Sequence, residues 1–135
     1  MRSLVEDVTA FHRKIGYADS YGCGLSADII RRRHSYIDEE SREAHEAMVE
    51  AAERSELSMQ APEVAHMVQE LIDLTYVIAG TFVELGIDPE PAWRVVHQAN
   101  LRKEAAPGGG KAIKPSGWIA PVVPVVPLQP EHSAR

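Results

Sequence analysis

"PEVAHMVQELIDLTYVIAGTFVELG", residues 62–86, decides the fold. Pro62 suits the first turn of a helix, where its missing N–H costs nothing, and Gly86 suits the residue just past a helix C-terminus. The residues between are strongly apolar, yet the uncharged run Leu74 to Val83 is far short of the roughly 20 residues that cross a bilayer. The stretch therefore reads as a core helix. It carries two acids, Glu70 and Asp73, three residues apart on one face and flanked by Met67, Val68, Leu71, Ile72, Leu74 and Val77. Two carboxylates roughly 4 Å apart repel by about 4 kcal/mol at an effective dielectric near 20, and desolvation adds to that cost. Something must offset it.

Upstream, Ser26 is an N-cap candidate for a second helix that runs without Gly or Pro from Ala27 to about Arg54. Its apolar stripe is Ile29, Tyr36, Ile37, Ala44, Ala47, Met48 and Ala51. Glu40 lies four residues after Tyr36 and four before Ala44, so it falls on that stripe. Glu39 and Glu43 sit within a turn of it. If the two helices pack with these faces together, Glu39, Glu40, Glu43, Glu70 and Asp73 converge, and cations are needed to hold them. Oxygen ligands without Cys or clustered His point to Mg²⁺ or Mn²⁺ rather than zinc. The competing reading pairs Glu70 and Asp73 with Arg31, Arg32 or Arg42. Asp38, Glu46, Glu50 and Glu53 read as a solvated face, and Arg31, Arg32 and Arg33 as a solvated basic one.

A first helix is signalled by "SLVE", with Ser3 and Glu6 as a capping box, Leu4, Val8, Phe11 and Ile15 at helical spacing, and Gly16 as its stop. A fourth is announced by "IDPEP", with Asp88 as N-cap and Pro89 in the first turn, and runs to about Glu104. From Pro107 the chain turns Gly-rich, then becomes "APVVPVVPLQP", whose prolines at 121, 124, 127 and 130 forbid a helix. This tail reads as extended, with a mobile end. No alternating strand pattern competes. The fold class is all-α, a four-to-five-helix bundle, with residues 1–118 as the domain and 119–135 as the tail. A bundle of this size gains core by pairing, which makes a homodimer or higher homo-oligomer the expectation.

The net charge of −6 excludes a general nucleic-acid binder, which needs a basic excess. With Cys23 as the single cysteine there is no intrachain disulfide, and the opening "MRSLVEDVTAF" has no signal-peptide core, so a cytoplasmic protein without a membrane segment is expected.

The order "EESRE" (39–43), "ELIDLTYVIAG" (70–80), "LGID" (85–88) and "VHQANLRK" (96–103) resembles the all-α nucleoside triphosphate pyrophosphohydrolases. That superfamily holds MazG-like proteins, dimeric dUTPases and phosphoribosyl-ATP pyrophosphohydrolases. "FHRKIG", "HQANLRK" and "KPSGW" are similar to the MazG-like branch rather than to a histidine-pathway enzyme, and the single copy of the motif is unlike a two-domain MazG. The resemblance implies a nucleotide substrate, possession of Mg²⁺ (Mn²⁺ as substitute), and cleavage between the α and β phosphates of a (d)NTP, dUTP among them. It implies Glu40, Glu43, Glu70 and Asp73 as ligands and Glu39 as ligand or general base, the roles of Glu39 and Glu40 being inseparable by sequence. Asn100 and Lys103 match the family's N-x-x-K and would contact nucleotide, while Lys111 and Lys114 could close over phosphates. Trp118 is expected to anchor the tail, and His12 and His97 to be structural or surface residues. The alternative is a non-catalytic helical interaction module whose Pro-rich tail binds a partner.

Overall fold

The computed structural model describes residues 2–17 and 25–129. Four helices carry the fold: α1 (Arg2–Lys14), α2 (Ala27–Ala52), α3 (Pro62–Glu84) and α4 (Pro89–Leu101). Two short strands, β1 (Ile87–Asp88) and β2 (Val126–Pro127), pair antiparallel. The all-α expectation holds, and the loop around Cys23 lies outside the described residues.

Local chemistry sets most of the boundaries. The Ser26 hydroxyl accepts from the Ile29 N–H at 3.4 Å and opens α2, and the Asp88 carboxylate accepts from the Glu90 N–H at 3.0 Å and opens α4. Gly86, at φ +67°, closes α3 in the left-handed region that glycine adopts without strain. Three expected boundaries move. α1 already begins at Arg2, so Ser3 lies inside the first turn and does not cap it. α2 stops at Ala52 rather than Arg54, with Glu53 as its C-cap. α4 stops at Leu101 because Glu104 is drawn into a two-bond antiparallel pairing with Ile113, at 2.9 Å each way, which closes a loop over Gly108, Gly109 and Gly110.

α3 is the central element. The pairings Arg33–Val77, Glu50–His66 and Arg54–Glu63 run in opposite senses along the chain, so α2 lies antiparallel on α3. The contact is made close by buried Ala44, Ala47 and Ala51 on α2. On another side α1 seats Val5 and Val8 against Ala79 and Val83 of α3, with Tyr76 packed beside them. α4 has no such seat on α1, α2 or α3; it follows α3 through β1 and shares a groove with the tail.

The Pro-rich tail is extended, as its prolines require, and it returns to the body. β2 pairs with β1, the Leu128 N–H donates to the Gly86 carbonyl at 2.8 Å, and the Leu128 side chain packs on the α1/α3 core. Trp118 lies under the Arg102 guanidinium, 5.5 Å from ring centroid to charge, which anchors the start of the tail to the end of α4. The expected mobile end, residues 130–135, falls outside the described residues.

Arg33 corrects the expectation of a solvated basic face. It is 4 % exposed, with its guanidinium between α2 and α3, because α3 offers it a carbonyl, a hydroxyl and a carboxylate. Next to it His12, 3 % exposed, stacks edge-on with Tyr17, and its Nδ1 has no hydrogen-bond partner among the described residues. Burial, and then the Arg33 charge, hold the His12 ring down to about 4. A folded-state value below the unfolded value near 6.5 means that the unfolded chain binds more protons as pH falls, so this contribution is complete above about 6.5 and lost on the way to 4. Urea titrations between pH 7 and 4.5 are expected to show stability falling with pH. In His12→Gln the fall should be clearly shallower; an unchanged slope in that variant would assign the loss to other groups.

Candidate metal centre

Glu40 and Glu43 are one turn apart on α2, and the antiparallel packing brings Glu70 of α3 against them. One carboxylate oxygen from each lies within 4.8 Å of the others. Glu70 is 9 % exposed, and Glu40 and Glu43 are half-buried, with the alanine-lined helix contact beneath them. At that separation each ionised pair repels by about 3 kcal/mol at an effective dielectric near 20. Glu40 registers the strain: its carboxyl is held above the ordinary range, first by burial and then by the charges of Glu43, Asp73, Glu70 and Glu39.

Asp73 and Glu39 therefore belong to the same electrostatic site, though outside the close oxygen triad. Asp73 is half-buried on α3, and Glu39 is exposed on α2. The competing arginine reading is not what the fold does with Glu70 and Asp73. Arg31 pairs with Asp28, Arg32 and Arg33 pair with Glu84, and Arg42 pairs with Glu43 at 3.6 Å and Glu46 at 3.1 Å. Asp38, Glu46, Glu50 and Glu53 are exposed, as a solvated face should be.

His66 is a site neighbour that the sequence reading passed over. Its Nε2 lies 3.2 Å from Glu70 and its Nδ1 3.4 Å from Glu50, so the ring bridges α3 to α2 at the edge of the cluster. The signal was available: His66 stands four residues before Glu70, on the same face of α3.

The expected nucleotide-binding residues are not gathered in the same way. Asn100 is exposed near the end of α4, and Lys103 lies past the helix, in the turn where its N–H donates to the Asn100 carbonyl at 3.1 Å. Lys111 and Lys114 are exposed on and beside the glycine loop. None of these lysines is ion-paired with an acid of the cluster among the described residues. The groove of about 520 Å³ between α4 and the tail, walled by Val95, Ile119 and Pro121, contains no carboxylate.

The donor set fits a hard divalent cation. It is all oxygen, it carries excess negative charge on two rigid helices, and Glu40 and Glu70 have no arginine or lysine pairing with them among the described residues. Neutralising one member should relieve the repulsion. Without metal, Glu40→Gln is expected to melt a few degrees above the parent, while losing the rise in melting temperature that Mg²⁺ gives the parent. A thermal scan with and without Mg²⁺ checks both; an unchanged metal response in the variant would remove Glu40 from the site.

The comparison with curated proteins gives no match. The sequence model of the phosphoribosyl-ATP pyrophosphohydrolase family matches residues 8–100, a span from the α1 core to Asn100 that includes all five acids. The chain thus belongs to the phosphoribosyl-ATP pyrophosphohydrolase family, and is a pyrophosphohydrolase of the MazG-like all-α group.

Proposed function

We propose that this chain is a Mg²⁺-dependent nucleoside triphosphate pyrophosphohydrolase of nucleotide-pool housekeeping, acting in the cytoplasm on a (d)NTP, with dUTP as one candidate. The observation that carries the reading is the convergence of Glu40, Glu43 and Glu70 from two helices within 4.8 Å, without an arginine on Glu40 or Glu70. Glu40, Glu43, Glu70 and Asp73 hold Mg²⁺, or Mn²⁺ in its place, and Glu39 is a further ligand or the base. Bound there, the cation would offset triphosphate charge and acidify a water. Glu39 or Glu40 takes the proton of the attacking water, and the raised basicity of Glu40 suits that task. The water oxygen bonds to phosphorus, the bridging bond between the α and β phosphates breaks, and pyrophosphate leaves a nucleoside monophosphate. Asn100 and Lys103 contact the nucleotide, and Lys111 and Lys114 its phosphates.

The working form in this reading is a homodimer or higher homo-oligomer. The lone chain of 14.9 kDa exposes 9,828 Å², against about 7,000 Å² for a compact monomer of that mass. Part of the excess is an apolar row on α3, where Val68, Leu71, Ile72 and Ile78 are all exposed.

Two measurements bear on these proposals. Incubation with a panel of canonical and modified (d)NTPs should release monophosphate and pyrophosphate only when Mg²⁺ is present, and Glu40→Gln or Asp73→Asn should abolish turnover with helical content intact. Full turnover in both variants would refute the site. Light scattering on a sizing column should give at least twice the chain mass, and Ile78→Glu should lower it; a monomeric parent at micromolar concentration would overturn the assembly.

A further inference from the structure

Arg33 is the one buried arginine among the described residues; its guanidinium lies over the Tyr36 ring of its own helix, and its three polar contacts all reach across to α3. Nη2 donates to the Val77 carbonyl at 2.6 Å, Nε donates to the Thr81 hydroxyl at 3.1 Å, and Nη1 lies 3.6 Å from Glu84. Glu84 is itself 3 % exposed and also accepts from Arg32. Gly80 makes the approach possible, since a Cβ there would sit 2.7 Å from the guanidinium.

The placement relative to the carboxylates is regular. Arg33 precedes Glu40 by seven residues on α2, and Val77 follows Glu70 by seven on the antiparallel α3. Seven residues span two turns, about 10.5 Å, and return to nearly the same face on each helix. The alignment that puts Arg33 on the Val77 carbonyl is therefore the alignment that puts Glu40 against Glu70. The other polar contacts between the two helices, Arg54–Glu63 at 3.1 Å and His66–Glu50 at 3.4 Å, share this alignment but lie at more exposed positions than Arg33. Ala44, Ala47 and Ala51 are small and carry no polar side-chain group to fix the register, and the acids themselves repel in the aligned register.

We propose that Arg33, with Gly80 and Glu84, sets the α2/α3 register that assembles the carboxylate site, making Arg33 a positioning residue. The proposal rests on the metal-centre reading of those acids. A buried polar group that fixes helix register is a known use of such groups, and here it acts two turns from the chemistry it organises. A slip by one residue would take the guanidinium off the Val77 carbonyl and bring it against a side chain where Gly80 now leaves space.

The test compares Arg33→Met with Val8→Ala, which weakens the α1/α3 core and leaves α2 untouched. Mn²⁺ affinity is read by titration calorimetry, with helical content followed by circular dichroism. Arg33→Met is expected to weaken Mn²⁺ binding roughly tenfold or more, Arg33→Lys less, and Val8→Ala hardly at all. Equal affinities in Arg33→Met and Val8→Ala would overturn the proposal. Should Arg33→Met not fold, Arg33→Lys and Glu84→Gln take its place, and parental affinity in both would overturn it too. A second readout needs no metal: spin labels at His45 and Gln69, in a Cys23→Ser background diluted with unlabelled protein, report the register as a distance. A broadened or shifted distance in the Arg33 variant supports the lock, and an unchanged one refutes it. If the parent binds no Mn²⁺, the metal-centre reading fails on its own and the distance still decides the register.

Discussion

The mutual repulsion of Glu40, Glu43 and Glu70 is the constraint around which the rest of the structure is arranged. Carboxylates on two helices stay within 4.8 Å of one another only if the helices are held there by something stronger. The fold supplies it on both sides of the site. Toward one end lies the buried Arg33–Glu84 contact, toward the other Arg54–Glu63 at 3.1 Å, and between them the small side chains of α2 bring the backbones close. The protein thus keeps an unfavourable charge cluster in place by local stabilisation elsewhere, the usual relation between a functional site and its scaffold.

That arrangement explains what could be read from the residues alone. The helices declare themselves through Ser26, Pro62, Gly86 and Asp88, whose capping chemistry acts within a few residues and is visible in sequence. The acids were legible because carboxylates among Met67, Leu71, Leu74 and Val77 have no local reason to be there. What stayed hidden depends on partners far along the chain. Arg33 looks like one member of the run "RRRH", and only α3, some 44 residues away in its Val77 contact, makes it a buried residue. His66 is half visible: its place four residues before Glu70 is local, but its contact with Glu50 depends on the packing of α2 on α3. The end of α4 was misplaced because the Glu104–Ile113 pairing, made across a loop of glycines, overrides helix propensity.

The tail shows how composition can be read correctly in form and miss the consequence. Its prolines do force an extended chain, and such a segment without hydrogen bonds of its own suggests a free ligand. Here β1 and Gly86 offer backbone partners and the α1/α3 core accepts Leu128, so the segment becomes a strap. Pro127 can occupy the ladder because an edge strand tolerates a residue that donates nothing.

α3 also accounts for the shape of the surface. One of its sides carries Glu70, Val77, Thr81 and Glu84 toward α2, and a second carries Tyr76, Ala79 and Val83 toward α1. Its remaining side, with Val68, Leu71 and Ile78, is left exposed among the described residues, and α4, which follows α3 through β1, packs with the tail instead of covering it. A helix that is apolar nearly all round is stable in water only when each of its sides is covered. The two covered sides account for the site and the core. The third, apolar and carrying no acid of the cluster, is left exposed on the same helix that supplies Glu70 and Asp73, and it is the area that the proposed assembly would bury.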